Sequence, residues 1–123
     1  MTQFSSNAAK HLWDARRCAE KIARFTAGKS FDDYLEDDLL RSGVERQFEI
    51  IGEAFSGLRR TDPALAATIP DLSRIVAFRN VLIHGYASID DQLVWEVVEN
   101  DLPGLLATLA GLVPDAEQNK PRP

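Results

Sequence analysis

The chain has 123 residues, 45% of them hydrophobic and 27% charged, with a net charge of −5; this fits one globular domain and excludes a disordered or fibrous chain. The acidic balance argues against broad, sequence-independent nucleic-acid binding, which shows as a basic excess, so any such function must come from a local or composite site. Cys18 is the single cysteine, which rules out an internal disulfide and reads as a buried thiol in a reducing compartment.

The first ten residues, MTQFSSNAAK, lack the apolar core of a signal peptide. No apolar run approaches the ~18 residues of a membrane span, so a cytoplasmic protein without membrane contact is expected. Residues 1–114 read as one helical domain and 115–123 as a flexible C-terminal tail, because the tail holds no apolar residue of any size.

The first helix is expected from about Ser6 to Ala27. Leu12, Ala15, Ala19 and Ile22 recur at steps of three and four, flanked by Cys18 and Phe25. Gly28 is its stop. His11 falls near its start and reads as a surface residue. The second helix begins near Ser30, where Ser30 and Asp33 resemble a capping box, and Phe31 to Leu35 can form a separate short turn. Leu40, Val44, Phe48, Ile51, Phe55 and Leu58 then make a helical stripe, with Arg59 and Arg60 in the last turn, where cations suit the helix dipole. The mid-helix Gly52 needs a packing reason, since glycine there costs about 1 kcal/mol against alanine. The acidic run Asp32, Asp33, Glu36, Asp37 and Asp38 reads as a solvated helix start, not a metal site.

Asp62-Pro63 opens a short connecting helix that ends at Pro70. Asp71 is the expected N-cap of the third long helix, whose apolar residues are Leu72, Ile75, Val76, Leu82 and Ile83, and Gly85 interrupts it. A fourth helix starts between Ser88 and Asp91 and carries Leu93, Val94, Val97, Val98, Leu102, Leu105 and Leu109. Pro103 either kinks it or opens a fifth helix capped by Asn100 or Asp101. Gly111 and Pro114 are the expected stop. Trp13 and Trp95 read as cover for helix–helix contacts. Short loops between long amphipathic helices imply an all-α, antiparallel, up-and-down bundle of four to five helices.

The third helix breaks its own pattern. At 100° per residue with Leu72 at zero, its other apolar residues lie within about 80°, and Arg79 falls near −20°, in the middle of the stripe. A guanidinium there must meet a carboxylate, a phosphate or a second protein surface. Asn80 and His84, four apart, share the adjacent stripe, and Tyr86 follows. Arginine holds a phosphate, asparagine orients it, and histidine takes or gives a proton. RNA carries its own nucleophile in the 2′-hydroxyl, so such chemistry requires no metal or other cofactor. The bland alternative is a helix-end histidine and an arginine paired to a carboxylate of its own chain.

The order Arg79, four residues, His84, one residue, Tyr86 resembles the Arg-x4-His-x-Tyr motif of the HepT-like branch of the HEPN superfamily. Val44-Glu45-Arg46-Gln47-Phe48-Glu49-Ile50-Ile51-Gly52-Glu53-Ala54 is similar to that family's second-helix signature. Ile89-Asp90, Val94-Trp95 and Asp101-Leu102-Pro103 are similar to its last helices, so the likeness spans roughly residues 8 to 112. The resemblance implies a HEPN bundle and a homodimer with two Arg/His sites facing across one cleft. It implies a toxin with metal-independent endoribonuclease activity on an RNA substrate, with Arg79 and His84 catalytic and Asn80 assisting. It also implies an MNT-type nucleotidyltransferase antitoxin that transfers AMP to Tyr86. The alternative function within the family is a non-catalytic module that binds nucleotide or scaffolds the nucleotidyltransferase.

Overall fold

The protein is described by a computed structural model over residues 5–85 and 87–113. These residues form seven helices and no strand: α1 (Ser6–Thr26), α2 (Phe31–Glu36), α3 (Asp38–Thr61), α4 (Pro63–Ala67), α5 (Leu72–His84), α6 (Asp91–Asn100) and α7 (Leu102–Leu112). Five have ten or more residues, and α2 and α4 are single-turn connectors. The all-α bundle is therefore as expected. Tyr86, Pro114 and the expected flexible tail, 115–123, lie outside the described residues.

Local chemistry sets most of the boundaries. Ser5 starts α1 by accepting the Ala8 N–H at 3.1 Å. Ser30 accepts the Asp33 N–H at 3.1 Å while the Asp33 carboxylate accepts the Ser30 N–H at 2.9 Å, a reciprocal capping box on α2. Those bonds from Ser30 hold the Asp33 carboxyl below its ordinary range. Asp37 closes α2 and accepts the Leu40 N–H at 3.0 Å to open α3. Asp90 caps α6 with two bonds, from Gln92 and Leu93. Two of the acidic run's carboxylates are thus engaged as caps.

Three boundaries differ from expectation. Asp71 precedes α5 but makes no side-chain cap bond, because its backbone sits in the left-handed region at φ 66°. The tight turn after Pro70 aims its carboxylate away from the first free N–H groups of the helix. Asp101 separates α6 from α7 without capping through its side chain. Its nearly buried carboxylate instead faces Arg74 at 3.3 Å, in an ion pair not aligned as a hydrogen bond. Pro103 falls in the first turn of α7, where its missing N–H costs nothing, so it opens a fifth long helix instead of kinking the fourth. Gly111 does not stop α7, which runs one residue further, to Leu112.

α3 lies between α1 and α5. α1 runs antiparallel to it, with Phe25 over Gly43 near one end and His11 over Gly57 near the other. A Cβ on Gly57 would stand 2.5 Å from the His11 ring; His11 is therefore seated in the α1–α3 seam, not on the open surface expected for it. Phe48, Ile51, Phe55 and Leu58 of α3 are fully buried, with Leu12 and Ile22 of α1 and Leu109 of α7. Each such side chain contributes roughly 1.5–3 kcal/mol by leaving water. Phe48 meets Phe78 of α5 edge-on at 5.3 Å. Trp95 of α6 packs against Tyr34 of α2 with the rings tilted, at 5.2 Å between centroids. Trp13 and Trp95 are only 8% and 6% exposed, so both cover helix contacts and neither offers a free ring face. No described helix is long and apolar enough to cross a membrane.

Candidate functional site

The close approach of α5 to α3 is made at one glycine. A Cβ built on Gly52 would stand 2.2 Å from Arg79 Cβ and 2.6 Å from Arg79 Cγ, far inside the normal ~3.5–4.0 Å carbon contact. Gly52 therefore supplies the space in which the Arg79 stem lies. That resolves the arginine in the apolar stripe: its methylenes pack in the stripe and its guanidinium emerges at the edge. The Arg79 side chain is 25% exposed.

The guanidinium has two partners. One nitrogen donates to Glu53 Oε1 at 2.5 Å, and the other donates to Asn80 Oδ1 at 2.9 Å. Glu53 follows Gly52 directly, so the residue that makes room for Arg79 also places its counter-ion. The Glu53 side chain is 59% exposed, and a pair this open to water contributes only about 0.2–1 kcal/mol. Of the three partners expected for Arg79, a carboxylate, a phosphate or a second protein surface, the structure shows a carboxylate of its own chain, as the bland alternative required. The pair nevertheless sits at the surface, open to solvent on the Glu53 side.

Asn80 and His84 are both exposed, and His84 is the last residue of α5. Gly85 ends the helix by donating its N–H to Val81 O at 2.8 Å. A Cβ on Gly85 would press on that same oxygen at 2.8 Å, so a side chain there conflicts with the turn that stops the helix beyond His84. On α5, Arg79 and His84 are about 7.5 Å apart along the axis and about 140° apart around it, with Asn80 between them. The helix thus gathers the three candidate groups at one end but aims the guanidinium and the imidazole in different directions.

Apolar surface surrounds this end. Val81 is 51% exposed and Leu39, at the start of α3, is 81% exposed. On α3, Leu39, Arg46, Ile50 and Glu53 lie within about 40° of one direction, forming an open strip beside Arg79. Sequence reasoning did not single out Glu53 as the partner of Arg79, although its place beside a mid-helix glycine was a usable signal. Among the described residues no group of three or more metal-binding side chains forms. Cys18 is buried as expected, and its thiol is pushed up by that burial. The candidate modification residue, Tyr86, falls outside the described residues.

Fold and motif together define an all-helical bundle of the HEPN class that carries Arg-x4-His at the end of one core helix. A family model described as "Ribonuclease HepT-like" matches residues 15–111, and the chain belongs to this family. It is 34% identical over 95 residues to a protein of Thermococcus cleftensis named "Probable ribonuclease HepT", covering 77% of this chain and 86% of that one. It is 32% identical over 92 residues to a "Putative RNase" of Methanocaldococcus jannaschii, covering 75% and 84% respectively. A second "Putative RNase" of that organism is 28% identical over 106 residues, covering 86% and 87%. No solved structure matches the chain.

Proposed function

We propose that the protein is a toxin of the cytoplasm that cuts RNA without a metal, using Arg79 and His84, and that it acts as a homodimer. The observation that carries this reading is the built position of Arg79. A glycine is spent in the centre of α3 to hold an arginine stem in the core and bring its guanidinium to the surface about a turn and a half from an exposed histidine. A purely structural ion pair needs no such arrangement.

In the proposed reaction the Arg79 guanidinium leaves Glu53 and holds the scissile phosphate, with Asn80 orienting it. His84 removes the proton of the ribose 2′-hydroxyl. That oxygen bonds to phosphorus, the bond to the 5′-oxygen breaks, and the departing oxygen takes up a proton. The products are a 2′,3′-cyclic phosphate and a 5′-hydroxyl. Because Arg79 and His84 diverge around one helix, a second copy packed over the exposed Leu39 of α3 and Val81 of α5 would complete the set of groups around one phosphate. Burying these exposed apolar side chains would also help drive the association.

The antitoxin of this reading is an MNT-type nucleotidyltransferase that adds AMP to Tyr86, two residues from His84. Added phosphate and nucleoside would repel and obstruct an RNA phosphate without unfolding the bundle. A second reading, a non-catalytic module that binds nucleotide or scaffolds the transferase, is favoured by the Arg79–Glu53 pair, which already satisfies the guanidinium.

The test is inducible expression of the wild type and of His84→Ala without a partner, with growth and total RNA followed. Growth arrest with discrete RNA fragments in the wild type alone is expected. Intact RNA and normal growth with both would establish the scaffolding reading instead. As His84 is exposed, the substitution should change stability by no more than ~0.5 kcal/mol.

A further inference from the structure

The charges of this acidic protein are unevenly distributed. α1 carries five cations against two carboxylates, whereas the remainder of the chain carries nine against seventeen. Lys10, Arg17, Lys21 and Arg24 lie within about 40° of one direction on α1, opposite the buried face of Leu12, Ala19 and Ile22. Lys10 is engaged by Asp14 at 2.9 Å. Among the described residues Arg17, Lys21 and Arg24 form no ion pair with a carboxylate. The Arg17 guanidinium lies over the Trp13 ring at 5.3 Å, which fixes its direction. Arg17 and Arg24 are exposed and Lys21 half-buried.

The ridge lies level with the Arg79 site. With Phe25 opposite Gly43 and His11 opposite Gly57, the antiparallel register sets Arg17 and Lys21 within about a turn and a half of Gly52, on which Arg79 rests. Arg46, on the open strip of α3 and paired with Glu49 at 3.3 Å, lies between them: Arg17, Lys21 and Arg46 all act on the Cys18 thiol buried beneath. Along α1 the rise from Arg17 to Lys21 is about 6 Å and from Lys21 to Arg24 about 4.5 Å, a spacing on the scale of successive phosphates.

We infer that Arg17, Lys21 and Arg24 form a phosphate-tracking ridge that binds the RNA strand outside the cleavage site. The inference rests on the ribonuclease reading for its ligand, and it adds where the rest of the substrate lies. A chain with net charge −5 repels a polyanion as a whole, so three unpaired cations on one ridge supply the attraction that its mean charge lacks. The ridge contributes affinity and direction, not sequence discrimination, since phosphates carry no sequence information.

The test uses the full-length protein with His84→Ala, so that substrate survives, and a fluorescein-labelled single-stranded RNA. Binding is measured by anisotropy across a salt series, with and without Arg17→Gln/Lys21→Gln/Arg24→Gln. The ridge predicts at least about a tenfold loss of affinity at low salt and a log–log salt slope shallower by about 2, at ~0.7 per lost phosphate contact. Arg17→Lys/Arg24→Lys keeps the charge and should keep the binding; a loss as large as that of the triple variant would overturn the inference. Unchanged affinity and slope in the triple variant would overturn it too. So would a triple variant that binds RNA normally but no longer binds vesicles containing phosphatidylserine, which would make the ridge a membrane surface. With His84 retained, cleavage of a dinucleotide too short to reach α1 should be unaffected by the triple substitution. If the protein with His84 intact cleaves neither long nor short RNA, the ribonuclease reading fails, while the binding series still decides the ridge.

Discussion

Replacing Gly52 by alanine isolates what holds Arg79 in place. Two opposed effects act on stability. Removing a glycine from the middle of α3 gains about 1 kcal/mol of helix propensity. Against that, the new Cβ falls 2.2 Å from Arg79 Cβ and 2.6 Å from Arg79 Cγ, at least about 1.3 Å short of normal contact on the nearer atom. Arg79 Cβ is fixed by the backbone of α5, so no rotamer change relieves the overlap and the two helices must separate. Overpacking of this kind costs typically 1–3 kcal/mol, and an overlap this deep belongs at the upper end. The net expectation is a loss of about 1–2 kcal/mol, or roughly 4–8 °C in melting temperature for a chain of this size. Gly104→Ala and Gly111→Ala are internal controls, because a Cβ at either position meets nothing within 4 Å and both lie in α7; they should gain a few tenths to 1 kcal/mol. Arg79→Ala retains the offending Cβ and cannot rescue Gly52→Ala, whereas Arg79→Gly should recover most of the loss. The assay is urea unfolding of the three single variants at Gly52 and Arg79, their two double variants and the two controls. If Gly52→Ala proved as stable as Gly104→Ala, the close approach at Gly52 would not be what fixes Arg79.

Glu53→Gln removes the charge that holds Arg79 while keeping an acceptor for it. Urea unfolding should move by less than ~1 kcal/mol, whereas RNA binding should tighten at low salt; weaker binding would mean that Glu53 positions the guanidinium instead of competing for it. Glu45 provides a test of pH dependence. Its carboxyl is raised by burial, then by Asp91 and Glu49, with Arg41 opposing. A carboxyl raised in the folded state favours folding when protonated, so its ionisation costs stability as pH rises through its folded value. Glu45→Gln should therefore have a higher melting temperature than the wild type at pH 7. The gap should close as pH falls below the ordinary carboxylate range near 4, and a gap independent of pH would sink the argument.

The fold was legible wherever local chemistry decided it. The periodic stripes of α1 and α3, the Ser30–Asp33 box, Pro63 at a helix start and the long apolar run of α6 and α7 are signals within one or two turns of chain. Pro103 left two outcomes open in the sequence, and packing chose between them. What the sequence concealed was pairing at a distance. The partner of Arg79 lies 26 residues away in the chain. The seat of His11 depends on Gly57, in another helix. The left-handed backbone of Asp71 follows from how α4 hands the chain to α5, which composition does not reveal. The candidate site was legible in its membership on α5, through one guanidinium that broke a period, but not in its geometry, because the glycine that seats Arg79 and the carboxylate that pairs with it lie on another helix.

The anchoring of Arg79 also bears on rates. Gly52 and the Phe48–Phe78 contact bind the two backbones together, so exchanging Glu53 for an incoming phosphate requires only torsions about the outer bonds of one arginine and one glutamate. Exposed side chains make such moves in picoseconds to nanoseconds. In the proposed reaction, capture of the anion would therefore not be gated by any displacement of helices, so closing of the bundle would not set the rate of turnover.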